Sequence, residues 1–495
     1  MMAARANGDA WTAARLLDGL VSWPGGELPI GGLCSDSRRC APGDLFLAWQ
    51  GGREHGLAHL AEAERAGAAA ALYDPQGAGA PPSSGIPLLA VPGLRELAGT
   101  LADRFFGKPS RGLTVFGVTG TNGKTSVCHF LAQAFDEPGA RCGLIGTLGN
   151  GFLGALEPAT HTTPDAVALH GGLARLRDAG ARRVAVEVSS HALDQARVAG
   201  VRFDTAVFTN LTHEHLDYHG DLAGYARAKR RLFHQPGLRR AALNLDDPLG
   251  ATWLDGLGAG IESLGFGFDR RAAVRGVALD LDAEGLALEV VFEGARGTLR
   301  VPLLGRFNAS NLLAALAVLL LAGIGLDEAL SRLEQVRTVP GRMERFARDS
   351  GPLAVVDYAH TPDALEVALR AVREHCRGRL WCVFGCGGDR DQAKRPLMGA
   401  VAERGADVVI VTDDNPRHEN GAAIAGAIVA GVRDPAGVAV IRDRAAAIER
   451  ALAGAGPDDV VLVAGKGHET TQQVGDEMRP FSDRALVRRL QEAAG

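Results

Sequence analysis

Short apolar runs, each closed by glycine or a polar cluster, recur along the chain. Residues 113–118 form one such run, and Gly117-Val118-Thr119-Gly120-Thr121-Asn122-Gly123-Lys124-Thr125-Ser126 carries it into a glycine-rich turn. A run this short, bounded by glycine, predicts a buried strand. From 125 to 135 the period changes, and Val127, Phe130, Leu131 and Ala134 share one helical face. The strand pattern returns at 183–188, ending in Ser189-Ser190-His191, and at 205–209, ending in a polar segment from Asn210 to His219. Between 274 and 304 it becomes alternation with turns, which predicts a β meander, and 307–322 then reads as an apolar helix.

Beyond 340 the runs 354–358, 380–384, 408–412, 438–441 and 460–463 alternate with helical stretches. That regular alternation predicts a parallel, Rossmann-like sheet. Upstream, a turn at 42–43 feeds a strand, 59–66 reads as a helix, 69–73 as a strand, and the Gly-, Pro- and Ser-rich stretch 77–87 as a surface loop. These breaks divide the 495 residues into three expected α/β domains, 1–110, 111–339 and 340–495.

Composition narrows the function. Net charge is −5 with no basic block, which argues against a nucleic-acid partner. The apolar run 312–322 is too short to span a bilayer, and residues 1–10 lack the apolar segment of a signal peptide. Seven scattered cysteines without metal spacing suit reduced thiols in a cytoplasm. The expected partners are therefore small molecules, with no membrane and no nucleic acid, and the chain is expected to act as a monomer. Only five of the 53 basic residues are lysine, namely Lys108, Lys124, Lys229, Lys394 and Lys466. Lysine is the compact cation whose amine can lose its proton, and four of the five fall in segments with other chemical signals.

The strand, glycine turn, Lys-Thr and helix at 113–135 make a phosphate cradle. Backbone N–H groups and the positive helix end face an anion, Lys124 adds a point charge, and the Thr125 hydroxyl can sit on Mg2+. One departure from the strict phosphate-loop spacing is Val118, where that pattern has glycine.

GVTGTNGKTS at 117–126, the Asn210–His219 segment, Gly305-Arg306-Phe307-Asn308-Ala309-Ser310-Asn311, Gly341-Arg342-Met343-Glu344 and Asp357-Tyr358-Ala359-His360-Thr361-Pro362 together resemble the Mur ligase family over nearly the whole chain. The resemblance implies a three-domain Mur ligase architecture, with a central P-loop-type parallel-sheet domain and a C-terminal Rossmann-like domain. The details are similar to the member that adds the third peptide residue in peptidoglycan synthesis. The implied reaction is ATP-dependent. ATP phosphorylates the D-glutamate side-chain carboxylate of UDP-N-acetylmuramoyl-L-alanyl-D-glutamate, and the amine of meso-diaminopimelate displaces phosphate.

Roles follow from the same resemblance. Gly117, Thr119, Gly120, Thr121, Asn122, Gly123, Lys124, Thr125 and Ser126 would hold ATP, with Asn308, Arg342, Asp357 and His360. Thr125, Glu187, His215 and Lys229 would serve Mg2+, Lys229 as a carbamate. Carbamylation needs a neutral amine, and the neighbouring Arg227, Arg230 and Arg231 are expected to favour it. Lys124, Lys229, His215 and Glu187 are thus the expected catalytic set. Ser37, Thr162, Thr163, Ser189, Gln195, Arg197 and Lys229 would contact the UDP-muramoyl dipeptide. Arg390, Asp414, Asn415, Pro416, Arg417, Gly465 and Glu469 would bind diaminopimelate. A guanidinium meets a carboxylate with two parallel hydrogen bonds, so Arg417 would select the amino acid with a second carboxylate.

Overall fold

The computed structural model describes residues 11–493 except 53 and 349. The reading of residues 1–10 as free of a signal peptide lies outside the described residues. The chain forms two compact units. One holds the residues up to Arg275 with Asn311–Gly325, and the other holds Gly276–Ser310 with the residues from Leu326 onward. The helix Leu94–Phe105 packs through Ala98, Leu101 and Phe105 into a core that also takes Ala166 and Val167. Within the range expected as one central domain, 276–310 lies in the second unit.

In the first unit the strands Gly32–Cys34, Asp44–Ala48, Ala70–Tyr73 and Leu88–Ala90 pair in parallel. Asp44–Ala48 is buried along its whole length, as a strand covered on both faces must be. A second sheet runs Arg141–Gly146, Ala181–Glu187, Thr114–Thr119, Thr205–Phe208, Arg240–Asn244, Glu262–Gly267, all parallel. Antiparallel strands Gly149–Phe152 and Ala155–Glu157 extend its near edge. Parallel pairing puts every C-terminal strand end on one edge, so the glycine turn after Thr119, Glu187 and the segment after Phe208 are neighbours.

In the second unit the expected meander appears as the hairpin Gly285–Phe292 and Ala295–Val301. A six-stranded sheet follows in the order Glu344–Phe346, Leu353–Asp357, Val460–Ala464, Leu380–Phe384, Val408–Val411, Val438–Val440. All its pairs are parallel except the edge pair made by Glu344–Phe346. The last strand in sequence lies inside the sheet, between Leu353–Asp357 and Leu380–Phe384. The chain segments after Asp357, Phe384, Val411 and Ala464 therefore meet at one edge. Among the described residues no helix is long and apolar enough to cross a membrane, and all seven cysteines are free thiols.

Candidate active site

The glycine turn is shaped by what surrounds it. Gly120 has φ +151°, and a Cβ there would run into the Thr209 hydroxyl. Gly123 has φ +85° and caps the helix Lys124–Ala134, with no side chain occupying the cap. The first turn of that helix thus points its N–H groups outward, as an anion site requires. The turn is pinned from the neighbouring strand end. Thr209 Oγ1 donates to Asn122 O at 2.5 Å, Asn122 N–H donates to Asn210 Oδ1 at 2.9 Å, and Thr212 N–H donates to Thr121 Oγ1 at 2.9 Å. Thr119 is fully buried and its hydroxyl has no hydrogen-bond partner among the described residues. Gly117 sits within the strand rather than in the turn. A Cβ there would lie 2.7 Å from the Phe203 ring, so packing, not a phosphate, accounts for this glycine. Ser126 lies in the first turn of the helix.

Glu187 is the polar centre of the site. It is fully buried at the end of its strand. Its carboxylate accepts from the Thr125 hydroxyl at 2.8 Å, from Thr147 N–H at 2.8 Å and from the Thr147 hydroxyl at 3.0 Å. Burial raises its pKa, while Thr147, Lys124 and Thr125 pull the other way. The Thr147 hydroxyl oxygen also lies 3.1 Å from the Thr162 hydroxyl, from which it can accept, and the Thr163 hydroxyl donates to the Glu187 carbonyl at 2.7 Å. Thr147 was not foreseen. It is one threonine after a strand end, and only the fold brings it to Glu187.

Lys229 is 1% exposed, and its Nζ donates to Gly120 O at 2.7 Å, the oxygen that Lys124 Nζ reaches at 2.9 Å. Burial drives its pKa well down, and the Lys124 charge adds to this, against a smaller opposing pull from Glu214. The expected cause, the neighbouring arginines, is not the operative one. On the helix Leu222–Arg230 the side chains of Tyr225, Ala228 and Lys229 turn inward, whereas Arg227 and Arg231 are exposed. The Tyr225 ring lies 4.4 Å under Lys229 Nζ, and its hydroxyl is 3.3 Å from Thr121 Oγ1.

His215 sits at φ +56°, and its ring contacts are with His191 and Tyr225 at 4.9 and 6.0 Å rather than with Glu187. Around them, Ser189 caps the helix Ser190–Asp194 and its N–H donates to Thr163 Oγ1 at 3.0 Å. Arg197 holds Gln195 Oε1 with Nε at 3.1 Å and Nη2 at 2.7 Å, and reaches Thr163 O with Nη1 at 3.0 Å. Thr162, Thr163, Ser189, Gln195 and Arg197 therefore form one network adjoining Glu187. Ser37 lies apart from it, at the start of the 3-10 helix Ser37–Arg39 beside the first sheet, with its hydroxyl donating to Glu62 at 2.7 Å.

In the second unit, Asp357 is almost fully buried and accepts from Met343 N–H at 2.7 Å and Ala359 N–H at 2.8 Å. Burial raises its pKa against those donors and the nearby Arg342. The Arg342 guanidinium lies 4.9 Å over the Tyr358 ring, and its Nε has no hydrogen-bond partner among the described residues. His360 is beside it, with Nδ1 2.8 Å from Tyr358 O. Asn308 is bonded through Nδ2 to Leu304 O at 2.8 Å.

The turns after three adjacent strands converge nearby. Asn415 Nδ2 donates to Glu469 at 2.9 Å, and buried Lys466 Nζ donates to Asn415 Oδ1 at 3.0 Å and Glu469 at 2.8 Å. Burial raises the Glu469 pKa, but Lys466 outweighs it and holds the carboxyl below its usual range. Gly465, at φ +119°, leaves room for the Asp414 carboxylate, which a Cβ would approach to 2.5 Å. Arg417, at φ +50°, donates through Nη1 to Gly388 O at 2.6 Å. Its backbone pairs with the hairpin strand Thr471–Val474, through Arg417 N–H to Gln473 O at 3.1 Å. Pro416 lies in the same turn and Arg390 is exposed beside Gly388. Lys466 and the hairpin Thr471–Pro480 were not among the expected contacts, although Lys466 stood out in the lysine count.

A glycine turn capping a helix, with a buried carboxylate on the first-turn threonine, defines a phosphate-loop nucleotide-binding protein. The sequence matches the Mur ligase middle domain over residues 118–319 and the Mur ligase glutamate ligase domain over residues 341–467. A UDP-N-acetylmuramoyl-L-alanyl-D-glutamate--2,6-diaminopimelate ligase from Alkalilimnicola ehrlichii is 54% identical over 482 residues, covering 95% of this chain and 96% of that protein. A solved structure of an enzyme of the same name has a TM-score of 0.73 at 35% identity, covering 98% of this chain and 99% of the other. The MurF ligase of Thermotoga maritima, solved in complex with ADP, shares the fold with a TM-score of 0.62 at 20% identity, over 88% of this chain and 94% of that one. The chain belongs to the Mur ligase family.

Proposed function

We propose that this chain is an ATP-dependent ligase of peptidoglycan synthesis. It adds meso-diaminopimelate to the D-glutamate side-chain carboxylate of UDP-N-acetylmuramoyl-L-alanyl-D-glutamate, releasing ADP and phosphate. The observation that carries this reading is the buried Glu187 carboxylate hydrogen-bonded to Thr125 at the head of the phosphate-loop helix. The work assigned here to residues 1–110, 111–339 and 340–495 is UDP-sugar binding, ATP binding and amino-acid binding. The enzyme acts as a cytoplasmic monomer.

Three parts of the chemistry follow from the residues. Lys124 and the N–H groups of the helix start orient and neutralise the ATP phosphates, so that the substrate carboxylate can approach them. Thr163, Ser189, Gln195 and Arg197 hold the dipeptide end beside Glu187. Arg417 grips the second carboxylate of diaminopimelate, and Glu469 holds its distal ammonium, leaving the other amine to attack the acyl phosphate. Asn308, Arg342, Asp357 and His360 serve the nucleotide.

The oxygen donors of Thr125 and Glu187 fit Mg2+, which prefers hard oxygen ligands, and Glu187 is a fully buried carboxylate in contact with the Thr125 hydroxyl. Thr125 and Glu187, with His215 as the third expected ligand, would hold Mg2+, which would supply charge neutralisation to the transferred phosphoryl group. Lys229 as a free amine is no ligand, but its depressed pKa suits conversion to a carbamate, which would be one.

The test is an ATPase assay on the purified chain with the UDP-muramoyl dipeptide and a panel of amino acids. Turnover with diaminopimelate, and not with lysine, supports the reading. Equal turnover with lysine removes Arg417 as the selector, and no turnover with any amino acid ends the proposal.

A further inference from the structure

The ligation chemistry uses none of the cysteines, yet two of them meet a carboxylate on the first sheet. Cys34 ends the strand Gly32–Cys34, Cys40 follows the 3-10 helix Ser37–Arg39, and Asp44 opens the strand Asp44–Ala48. The two strands are adjacent and parallel, with Gly32 opposite Asp44. Their pairing folds the turn back so that the three side chains face one another. One ligand atom from each residue, two Sγ and a carboxylate oxygen, lies within 4.8 Å of both others. Cys34 and Asp44 are each 4% exposed, while Cys40 is half-buried.

Donors within 4.8 Å of one another need only a small closing to share one ion. Thiolate and carboxylate donors at about 2.0–2.3 Å from a tetrahedral zinc stand roughly 3.3–3.8 Å apart. The donor set is also selective, because two soft sulfurs favour zinc over magnesium. An outer contact orients the carboxylate, since Asp44 Oδ2 accepts Ala41 N–H at 2.9 Å.

We propose that Cys34, Cys40 and Asp44 bind one zinc ion, with water in the fourth position on the half-buried side of Cys40. Binding releases the two thiol protons, and no redox step is involved. The ion closes the turn 35–39, which carries Ser37 and Arg38, by joining the strand ends on either side of it. The site is independent of the nucleotide-site metal, whose expected donors are oxygens and one imidazole nitrogen, with no sulfur.

The test uses the full chain, purified with reductant, loaded with Zn2+ and desalted. About one equivalent of zinc is expected per chain, falling roughly tenfold or more in Cys40→Ser and unchanged in Cys376→Ser. Replacing zinc with Co2+ should give a sulfur-to-cobalt charge-transfer band, which the nucleotide site, having no sulfur donor, cannot produce. Alkylation mapping on the unmodified chain avoids any folding defect of the variants, and Zn2+ should protect Cys34 and Cys40 but not Cys376. Absence of the charge-transfer band, equal alkylation with and without Zn2+, or a Cys34–Cys40 disulfide in the reduced preparation overturns the proposal.

Discussion

Replacing Glu187 with glutamine separates the cost of a buried charge from its use. The carboxylate makes three contacts, with Thr125 Oγ1 at 2.8 Å, Thr147 N–H at 2.8 Å and Thr147 Oγ1 at 3.0 Å. Glutamine keeps Oε1 as the acceptor for Thr147 N–H. It turns Oε2 into an amide donor, which the two hydroxyl oxygens can accept. The contacts survive and the desolvated charge goes, so stability should rise by about 1 kcal/mol, the scale of one buried polar imbalance. For a unit of this size that is about 2–4 °C in its melting step.

The pH dependence fixes the sign. The folded pKa of Glu187 lies above the ordinary 4.5, so within that window the unfolded chain has released a proton that the folded chain keeps. Wild-type stability falls as pH rises through the window. The advantage of the glutamine variant should be full above the folded pKa and vanish below 4.5. Calorimetry across this range reads the stability, and a coupled ATPase assay reads the function. Turnover should drop about 10²–10³-fold, as when a charge-stabilising group is lost. A variant less stable than the parent near neutral pH would refute the claim that this carboxylate is held at a cost. Undiminished turnover would refute its part in phosphoryl transfer.

Other substitutions probe the remaining parts. Arg417→Lys should lower kcat/KM for diaminopimelate about ten- to hundredfold, the 1.5–3 kcal/mol of a charged hydrogen bond, and unchanged kinetics would end the assignment of Arg417 as selector. Lys229→Ala should abolish turnover and recover part of it when short carboxylates are added, and full activity without them would dismiss the carbamate. Gly120→Ala should cost about 1–3 kcal/mol of local strain against Thr209, read as weakened ADP binding by calorimetry, and normal binding would mean that the turn relaxes. Asp483→Ala should destabilise the second unit by about 3–5 kcal/mol in chemical denaturation, because it strands the fully buried Arg444 guanidinium, 2.7 Å from Asp483 Oδ2.

Much of this architecture was written in local pattern. Parallel strands buried on both faces must be apolar runs, and the turns at their C-terminal ends must be polar, so 113–126, 183–191 and 205–219 disclosed strand and site together. The order of strands was not local. Nothing within Val460–Ala464 says that it pairs between Leu353–Asp357 and Leu380–Phe384, yet that insertion brings Glu469 to Asn415. The hairpin Thr471–Pro480 escaped notice because its half-exposed residues lack an apolar face. Thr147 and the Cys34–Cys40–Asp44 cluster depend on long-range pairing, and five residues between two cysteines match no common metal spacing. For Lys229 the sequence suggested the right direction of shift through the wrong agent. Helical periodicity sends its arginine neighbours outward and the lysine into the core.

An acyl-phosphate route is read most directly from where the oxygen of the substrate carboxylate ends up. With the D-glutamate side-chain carboxylate of the UDP-muramoyl dipeptide carrying a heavy-oxygen label, turnover with ATP and diaminopimelate should yield phosphate bearing one labelled oxygen for each peptide bond formed. Peptide formation with unlabelled phosphate would contradict the acyl-phosphate route and the arrangement of Lys124, Thr125 and Glu187 on which it rests.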